Sequence, residues 1–401
     1  MHTSSSCPLQ DVSSDAPTDL ATIGVHGDDS LNAVSSAHRQ VQDIAPALHV
    51  STTYRYSNNP EELLEANDLD LENHEGYIYS REFAPNTKRA EAILSKIIGG
   101  KALCYSSGLG SLFAAYTYFK PKRVSIGLGY HGSKAVLDIH TRLTGLQCLP
   151  LDCDVNDLHP GDIIHLETPF NPTGEVRDIA YYADKAHSRG AFLLVDSTLA
   201  PPPLQDPFAL GADVVMHSGT KYFGGHSDLL SGVLAVRNDE WFSGLWNDRI
   251  TLGSVMGNME AWLTIRSLRT LELRVTKQSD NARQIVDWLN DRPSKVISRV
   301  SHAVYQWKEE QQDWIGKQMP NGFGAVFAVN FSSPDIARKF PSYLQIFNHA
   351  TSIGGLESLV EWRAISDATV DKRLVRFSIG VESAKDLIAD LEQALVRLEA
   401  A

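Results

Sequence analysis

Four short runs in the chain are continuously apolar rather than alternating: RVSIGL (123–128), DIIHLE (162–167), AFLLVD (191–196) and ADVVMH (212–217). Such runs suit strands covered on both faces. The stretches between them carry helical spacing. In EVRDIAYYADKAHSRG, Ile179, Tyr182 and Ala186 share one face, and Gly190 sits where a helix would stop. In TKRAEAILSKIIGG, Ala90, Ile93, Leu94, Ile97 and Ile98 make an apolar face that two glycines end. This alternation predicts an α/β protein with a mostly parallel sheet.

The uncharged run from Ala102 to Phe119 reads as a buried loop and helix rather than a membrane span. From Gly257 to Asp291 the pattern is helical without strong breakers, which predicts one long connector. Beyond it, GFGAVFAVNF and RLVRFSIGV read as strands of a smaller C-terminal α/β domain. ESAKDLIADLEQALVRLEAA then closes the chain as a helix with Ile388, Leu391, Leu395 and Leu398 on one face. The expected organisation is a disordered tail (1–20), an N-terminal arm (21–70), a large domain (71–265), and a connector helix with a small domain (266–401).

Composition narrows the functional classes. The 401 residues carry a formal charge of −13 with no visible basic face, so no nucleic-acid partner is expected. The cysteines at 7, 104, 148 and 153 lack zinc-motif spacing and read as reduced thiols of a reducing compartment. The opening MHTSSSCPLQDVSSDAPTD has neither a cationic start nor an apolar core, so no secretory signal is expected. A cytoplasmic protein without a membrane partner is expected. His131, His217 and His226 lack metal-site spacing and read as packing or supporting groups; no metal is expected.

In open parallel sheets, ligands bind beyond the carboxyl ends of the strands, so the residues after each apolar run carry the chemistry. Lys221, in HSGTKYFGGHSD, follows the run ADVVM among small residues. A surface-loop lysine is the ordinary alternative. A lysine held among small groups can instead lose its proton and attack an aldehyde as a Schiff-base former. Pyridoxal phosphate would need three more parts: an acid for its ring nitrogen, a phosphate cradle and a ring stacker.

Asp196 ends AFLLVD, where a buried carboxylate calls for a cation; a turn or helix-cap aspartate is the alternative. Thr198 lies two residues on. The cradle candidate is YSSGLGSLFAAY (105–116), serines and glycines opening a helical stretch, though a plain tight turn fits equally well. Ser218 and Thr220 add hydroxyls. Tyr130 in GLGYHGSK is the candidate stacker or a structural tyrosine. Asn171 in ETPFNPTG is a ligand or a turn former. Arg376, inside an apolar strand, suits bidentate binding of a substrate carboxylate; a solvent-facing edge arginine is the alternative.

Together these segments resemble the Cys/Met-metabolism family of fold type I pyridoxal-phosphate enzymes, which includes cystathionine γ-synthase, cystathionine γ-lyase and the O-acetylhomoserine sulfhydrylases. The likeness runs from about Thr22 to the C-terminus. TIGVHGDD and ALHVSTTYRY resemble the family's arm, YIYSREFAPNTKRAEAIL its tyrosine–serine–arginine motif, and YHGS its YGGT turn. VDSTLAPPPLQDPFALGADVVMHSGTKYFGGHSD resembles its cofactor-lysine signature, and SIGGLESL and LVRFSIGVES its C-terminal elements.

The resemblance implies that Lys221 bears pyridoxal 5'-phosphate and shuttles protons, and that Asp196 faces the pyridine nitrogen with Thr198 beside it. Ser107, Gly108, Leu109, Ser218 and Thr220 would hold the phosphate. Tyr79 and Arg81 would reach the phosphate of a neighbouring subunit, in a homo-oligomer with shared sites that is usually a homotetramer. Tyr130 would stack on the ring and assist proton transfer. Asn171, Ser352 and Arg376 would fix the substrate carboxylate. Three departures stand out: Ala84-Pro85-Asn86 where NPT is common, His131 inside the YGGT-like turn, and Thr351 where many lyases have glutamate. They are expected to line or flank the substrate side.

The expected reaction is γ-replacement on an activated L-homoserine such as O-acetyl-L-homoserine. It would pass through a vinylglycine-type intermediate and add a thiol or a carbon nucleophile at Cγ. The APNT spelling also resembles fungal members, some in specialised biosynthesis. A C–S lyase releasing an α-keto acid and ammonia is the alternative, and a non-catalytic scaffold is the alternative of another class.

Overall fold

The structure, a computed structural model, describes residues 19–32, 44–65, 77–310 and 312–400. Positions 1–18 of the expected tail, with Cys7, lie outside the described residues, as do 33–43 and 66–70 of the expected arm. The other three cysteines are free thiols.

The larger of two sheets has seven strands: β1 (Lys101–Tyr105), β2 (Arg123–Ile126), β3 (Gln147–Pro150), β4 (Ile163–Glu167), β5 (Phe192–Asp196), β6 (Val214–His217) and β7 (Gly232–Val236), in the order β1-β7-β6-β5-β4-β2-β3. Strands β2 to β6 pair in parallel. Only β7 is reversed, antiparallel to both β6 and β1, so β1 again runs with the rest. Six carboxyl ends therefore share one edge of the sheet. The sheet is mostly parallel, as the apolar runs predict.

Both faces are covered, which explains those runs. Leu193, Val195, Ile164 and Leu166 join one core, with residues of the helices α2 (Pro85–Ile98), α5 (Ile179–His187) and α8 (Leu271–Asp291). Leu194, Leu103, Val124 and Val214 join another, with α3 (Gly108–Phe119), α4 (His131–Thr144) and α6 (Asp239–Leu252). Successive residues of a strand point to opposite faces, so the interior strands β4, β5 and β6 are apolar along most of their length. Helix α1 (Leu20–His26) packs against α2 and α8, and Gly99 ends α2 in the left-handed conformation at φ 79°.

Two expectations are corrected here. The segment Lys101–Tyr105 is strand β1, not loop, paired along its length with β7 before the chain turns into α3. The stretch 257–291 is two helices, α7 (Asn258–Leu268) and α8, broken at Thr270, whose φ of −120° and ψ of 14° are non-helical. The break has a use. Arg274, buried on α8, donates through Nη2 to the Ser267 carbonyl and through Nη1 to the Tyr222 carbonyl, next to Lys221.

The smaller sheet comprises β8 (Ile297–Ser301), β9 (Val326–Phe331), β10 (Asn348–His349), β11 (Leu359–Trp362) and β12 (Leu374–Ser378), in the order β10-β11-β12-β9-β8. All its pairings are antiparallel except β10 with β11. The C-terminal helix Ala384–Ala400 packs on α8, its buried Leu387, Leu391, Leu395 and Leu398 facing inward.

Candidate active site

A cleft of about 420 Å³ opens beyond the carboxyl ends of the large sheet, with residues 351–376 of the small-sheet region closing the other side. Its volume lies within the range of small-molecule sites. Each lining segment is placed by a strand that ends just before it.

After β1, Ser107 caps α3: its Oγ accepts from the Gly110 amide at 3.0 Å. The first amides of a helix have no partner within it, and with the helix dipole they form an anion site. Gly108 packs tightly, since a Cβ there would lie 3.0 Å from Ser218 Cβ and 3.2 Å from Met216 Cε. Leu109 and Ser218 line the same corner. Thr220 also lines it, but its hydroxyl already donates to the Ser231 carbonyl (3.2 Å) and accepts from the Ser231 amide (2.9 Å).

After β5, the buried Asp196 receives two hydrogen bonds on Oδ1, from the Thr198 amide (3.0 Å) and hydroxyl (2.5 Å). Thr198 Oγ1 in turn accepts from the Ser218 amide at 2.8 Å, tying the ends of β5 and β6 together. Burial raises the Asp196 pKa, and the Thr198 bonds oppose the rise. A buried carboxyl of this kind is best satisfied by a protonated ring nitrogen.

After β6, Lys221 Nζ donates to Ser352 Oγ at 2.9 Å. Burial, reinforced by the Arg376 guanidinium and opposed by Glu361, pushes the Lys221 pKa down to about 8. Ser352 is one of three non-glycine residues at positive φ among the described residues, at 91°. That conformation is costly for a serine. It turns the hydroxyl to Lys221 and the carbonyl to Arg376 Nη2, at 3.2 Å.

Arg376, in the middle of β12, is buried rather than a solvent-facing edge arginine. It donates through Nη1 to Asn171 Oδ1 (3.0 Å) and through Nη2 to Glu361 Oε2 (2.5 Å), its directly opposite cross-strand neighbour. Burial holds the Arg376 pKa down at about 10 against the pull of Glu361. Glu361 Oε2 also accepts from Arg363 Nη1 at 3.0 Å, so one buried carboxylate serves two guanidinium groups. A planar guanidinium fixed in this way suits a carboxylate ligand.

Tyr130, 39% exposed, stands at the cleft wall next to His131, with ring centroids 4.9 Å apart. Tyr79 and Arg81 do not join this cleft. Tyr79 is exposed, and Arg81 Nη1 donates to the Ile250 carbonyl at 3.0 Å. Of the three departures, His131 and Thr351 line the cleft. Ala84-Pro85-Asn86 does not line this chain's cleft. Asn86 is buried under the arm, where Oδ1 accepts from the His49 amide (2.8 Å) and Nδ2 donates to the Ala47 carbonyl (2.9 Å). His217 is buried, with its pKa lowered to about 3 by burial, as a packing group would be.

Three charged residues of the site went unread in the sequence: Glu167, Glu361 and Arg363. Glu167 ends β4 as Asp196 ends β5, so the same signal marked it. Glu361 and Arg363 form their pairs across strands and around a turn, which spacing does not reveal.

The groups lining the cleft fit pyridoxal 5'-phosphate: a buried acid, a glycine-lined helix start and a lysine of depressed pKa. Comparison with known proteins agrees. The chain is 35% identical to cystathionine gamma-synthase of Mycobacterium bovis, over 80% of this chain and 86% of the relative. It is 32% identical to cystathionine gamma-lyase of Dictyostelium discoideum, over 92% and 97%. Its fold superposes on the crystal structure of metB from Corynebacterium glutamicum with a TM-score of 0.83 at 30% identity, covering 95% of this chain and 98% of that one. The model of the Cys/Met metabolism PLP-dependent enzymes matches residues 28–396, and the chain belongs to that family.

Proposed function

We propose that this enzyme carries out γ-replacement on an activated L-homoserine, joining a thiol or a carbon nucleophile to Cγ. Pyridoxal phosphate, when bound, supplies the electron sink that stabilises negative charge at the substrate's Cα. The chain's own residues do the rest. Arg376, held by Asn171 and Glu361, grips the substrate carboxylate, with Ser352 beside it. Lys221, whose pKa burial depresses, would hold the cofactor at rest and move protons at Cα and Cβ once free of it. Tyr130 would stack on the ring and assist proton transfer, while Asp196 would keep the ring nitrogen protonated. Ser107, Gly108, Leu109 and Ser218 receive the phosphate.

The carrying observation is the pairing of Lys221 Nζ with Ser352 Oγ while Ser352 also contacts Arg376. It brings the proton carrier and the carboxylate clamp to one point. Replacement over elimination is favoured by the uncharged Thr351 on the substrate wall and by the likeness to a cystathionine gamma-synthase. The position of Tyr79 and Arg81 outside the cleft favours their service to a neighbouring subunit, and so a dimer or a tetramer of two dimers.

The test is product analysis by mass spectrometry after incubation with O-acetyl-L-homoserine, with and without cysteine, sulfide and carbon acids. A new adduct at Cγ that grows with one nucleophile is expected. Keto acid released at a rate indifferent to every nucleophile would identify a lyase instead, the reading that the gamma-lyase relative favours.

A further inference from the structure

Among the described residues lining the cleft, Glu167 is the one carboxylate besides Asp196, and the scheme above gives it no task. It closes β4, and its carboxyl is buried. Oε1 accepts from the Asn171 amide and Oε2 from the Tyr130 amide, each at 2.8 Å. Asn171 lies four residues downstream; Tyr130 lies 37 residues upstream, in the turn that follows β2. One carboxylate thus holds two turns that leave separate strands. Gly129 makes the approach possible, for a Cβ there would come 2.4 Å from Glu167 Oε2. The grip extends further, because Asn171 accepts from Arg376.

We infer that Glu167 is a positioning residue, placing Tyr130 over the cofactor ring and Asn171 against Arg376 by accepting both backbone amides at once. This rests on the roles proposed above for Tyr130 and Asn171. Only a carboxylate meets the requirement at this size. A glutamine offers one acceptor oxygen and turns its NH₂ toward the second amide, donor against donor. An unmet buried donor is costly, so the turn it leaves must shift. Burial, and then Asp196, its register neighbour on β5, push its pKa up, while the two amides, which favour the ionised form that accepts both, and Arg177 pull it down.

The variants are Glu167→Gln, Asn171→Ala and their combination, in cofactor-loaded protein. One readout is the visible circular dichroism of the bound cofactor, which senses how the ring is held. The other is the dissociation constant of L-alanine, an amino acid without a γ-carbon, from the visible spectrum. Glu167→Gln is expected to change the dichroism and to weaken L-alanine roughly tenfold. The double variant is expected to lose less than the sum of the two single losses, because Glu167 acts in part through Asn171. Wild-type dichroism and affinity in Glu167→Gln, or additive losses in the double variant, would overturn the inference. Should Glu167→Gln fail to fold, Gly129→Ala crowds the same carboxylate without changing its charge. It should alter the dichroism; an unaltered spectrum would overturn the inference equally. The γ-replacement reading is judged from products of homoserine esters, so the two can fail separately.

Discussion

The two walls of the cleft are built in different ways. On the large-sheet wall, Asp196, Thr198 and Ser218 are linked by bonds spanning two to twenty residues, between neighbouring strand ends. The small-sheet wall reaches across the molecule: Arg376 to Asn171 spans 205 residues, and Ser352 to Lys221 spans 131. The first wall is held by the β-sheet beneath it. The second depends on a buried charge cluster, Glu361 with Arg363 and Arg376, and on the packing of one region against another. Cofactor binding on this account is scaffolded locally, while substrate recognition is a property of the assembled tertiary structure.

Three measurements break or sharpen that contrast. The largest effect is expected from Arg376→Ala, which removes the clamp. It should lower kcat/KM by about a thousandfold, an energy of about 4 kcal/mol, and leave cofactor affinity near wild type. Equal loss of cofactor and substrate binding would show that the walls are not separable. Next is Glu361→Gln, which leaves the buried Arg376 guanidinium without its counter-charge and Arg363 with Asp367 alone. A loss of about 3 kcal/mol of stability is expected in denaturant titration, accompanied by weaker substrate binding. Unchanged stability would mean that the cluster relaxes without cost.

The smallest effect is a pH slope in protein stripped of cofactor. The folded pKa of Lys221 lies near 8, below its ordinary value of 10.5. Between those values the unfolded chain binds more protons at this site, so its contribution to stability rises with pH across the window. Below pH 8 the lysine is charged in both states, and the burial penalty is felt in full. Lys221→Met should remove this increment, seen as a flatter dependence of the melting temperature on pH between 8 and 10.5.

The legibility of the sequence follows the same division. AFLLVD and ADVVMH announce strands, and the residues beyond them fall at the cleft because a parallel sheet brings its carboxyl ends together. Strand β1, KALCY, escaped because it runs without punctuation into SSG and the helix behind it. The break at Thr270 escaped for a related reason: RSLRTLEL contains no glycine or proline, and the turn is held by Arg274, a tertiary contact. Arg376 stood out as a charge within an apolar strand. Its partner Glu361 did not, because LVEWRA reads as an ordinary half-exposed segment until β11 lies against β12. Glu167 had the signature of Asp196, but its ligands are backbone amides, which no residue pattern encodes.

The central claim is the covalent attachment of the cofactor at Lys221, and borohydride reduction of the loaded enzyme followed by peptide mass mapping tests it most directly. The account predicts that the reduced cofactor mass appears on the peptide containing Lys221. An unmodified Lys221 peptide, with the label on another lysine or on none, would contradict it.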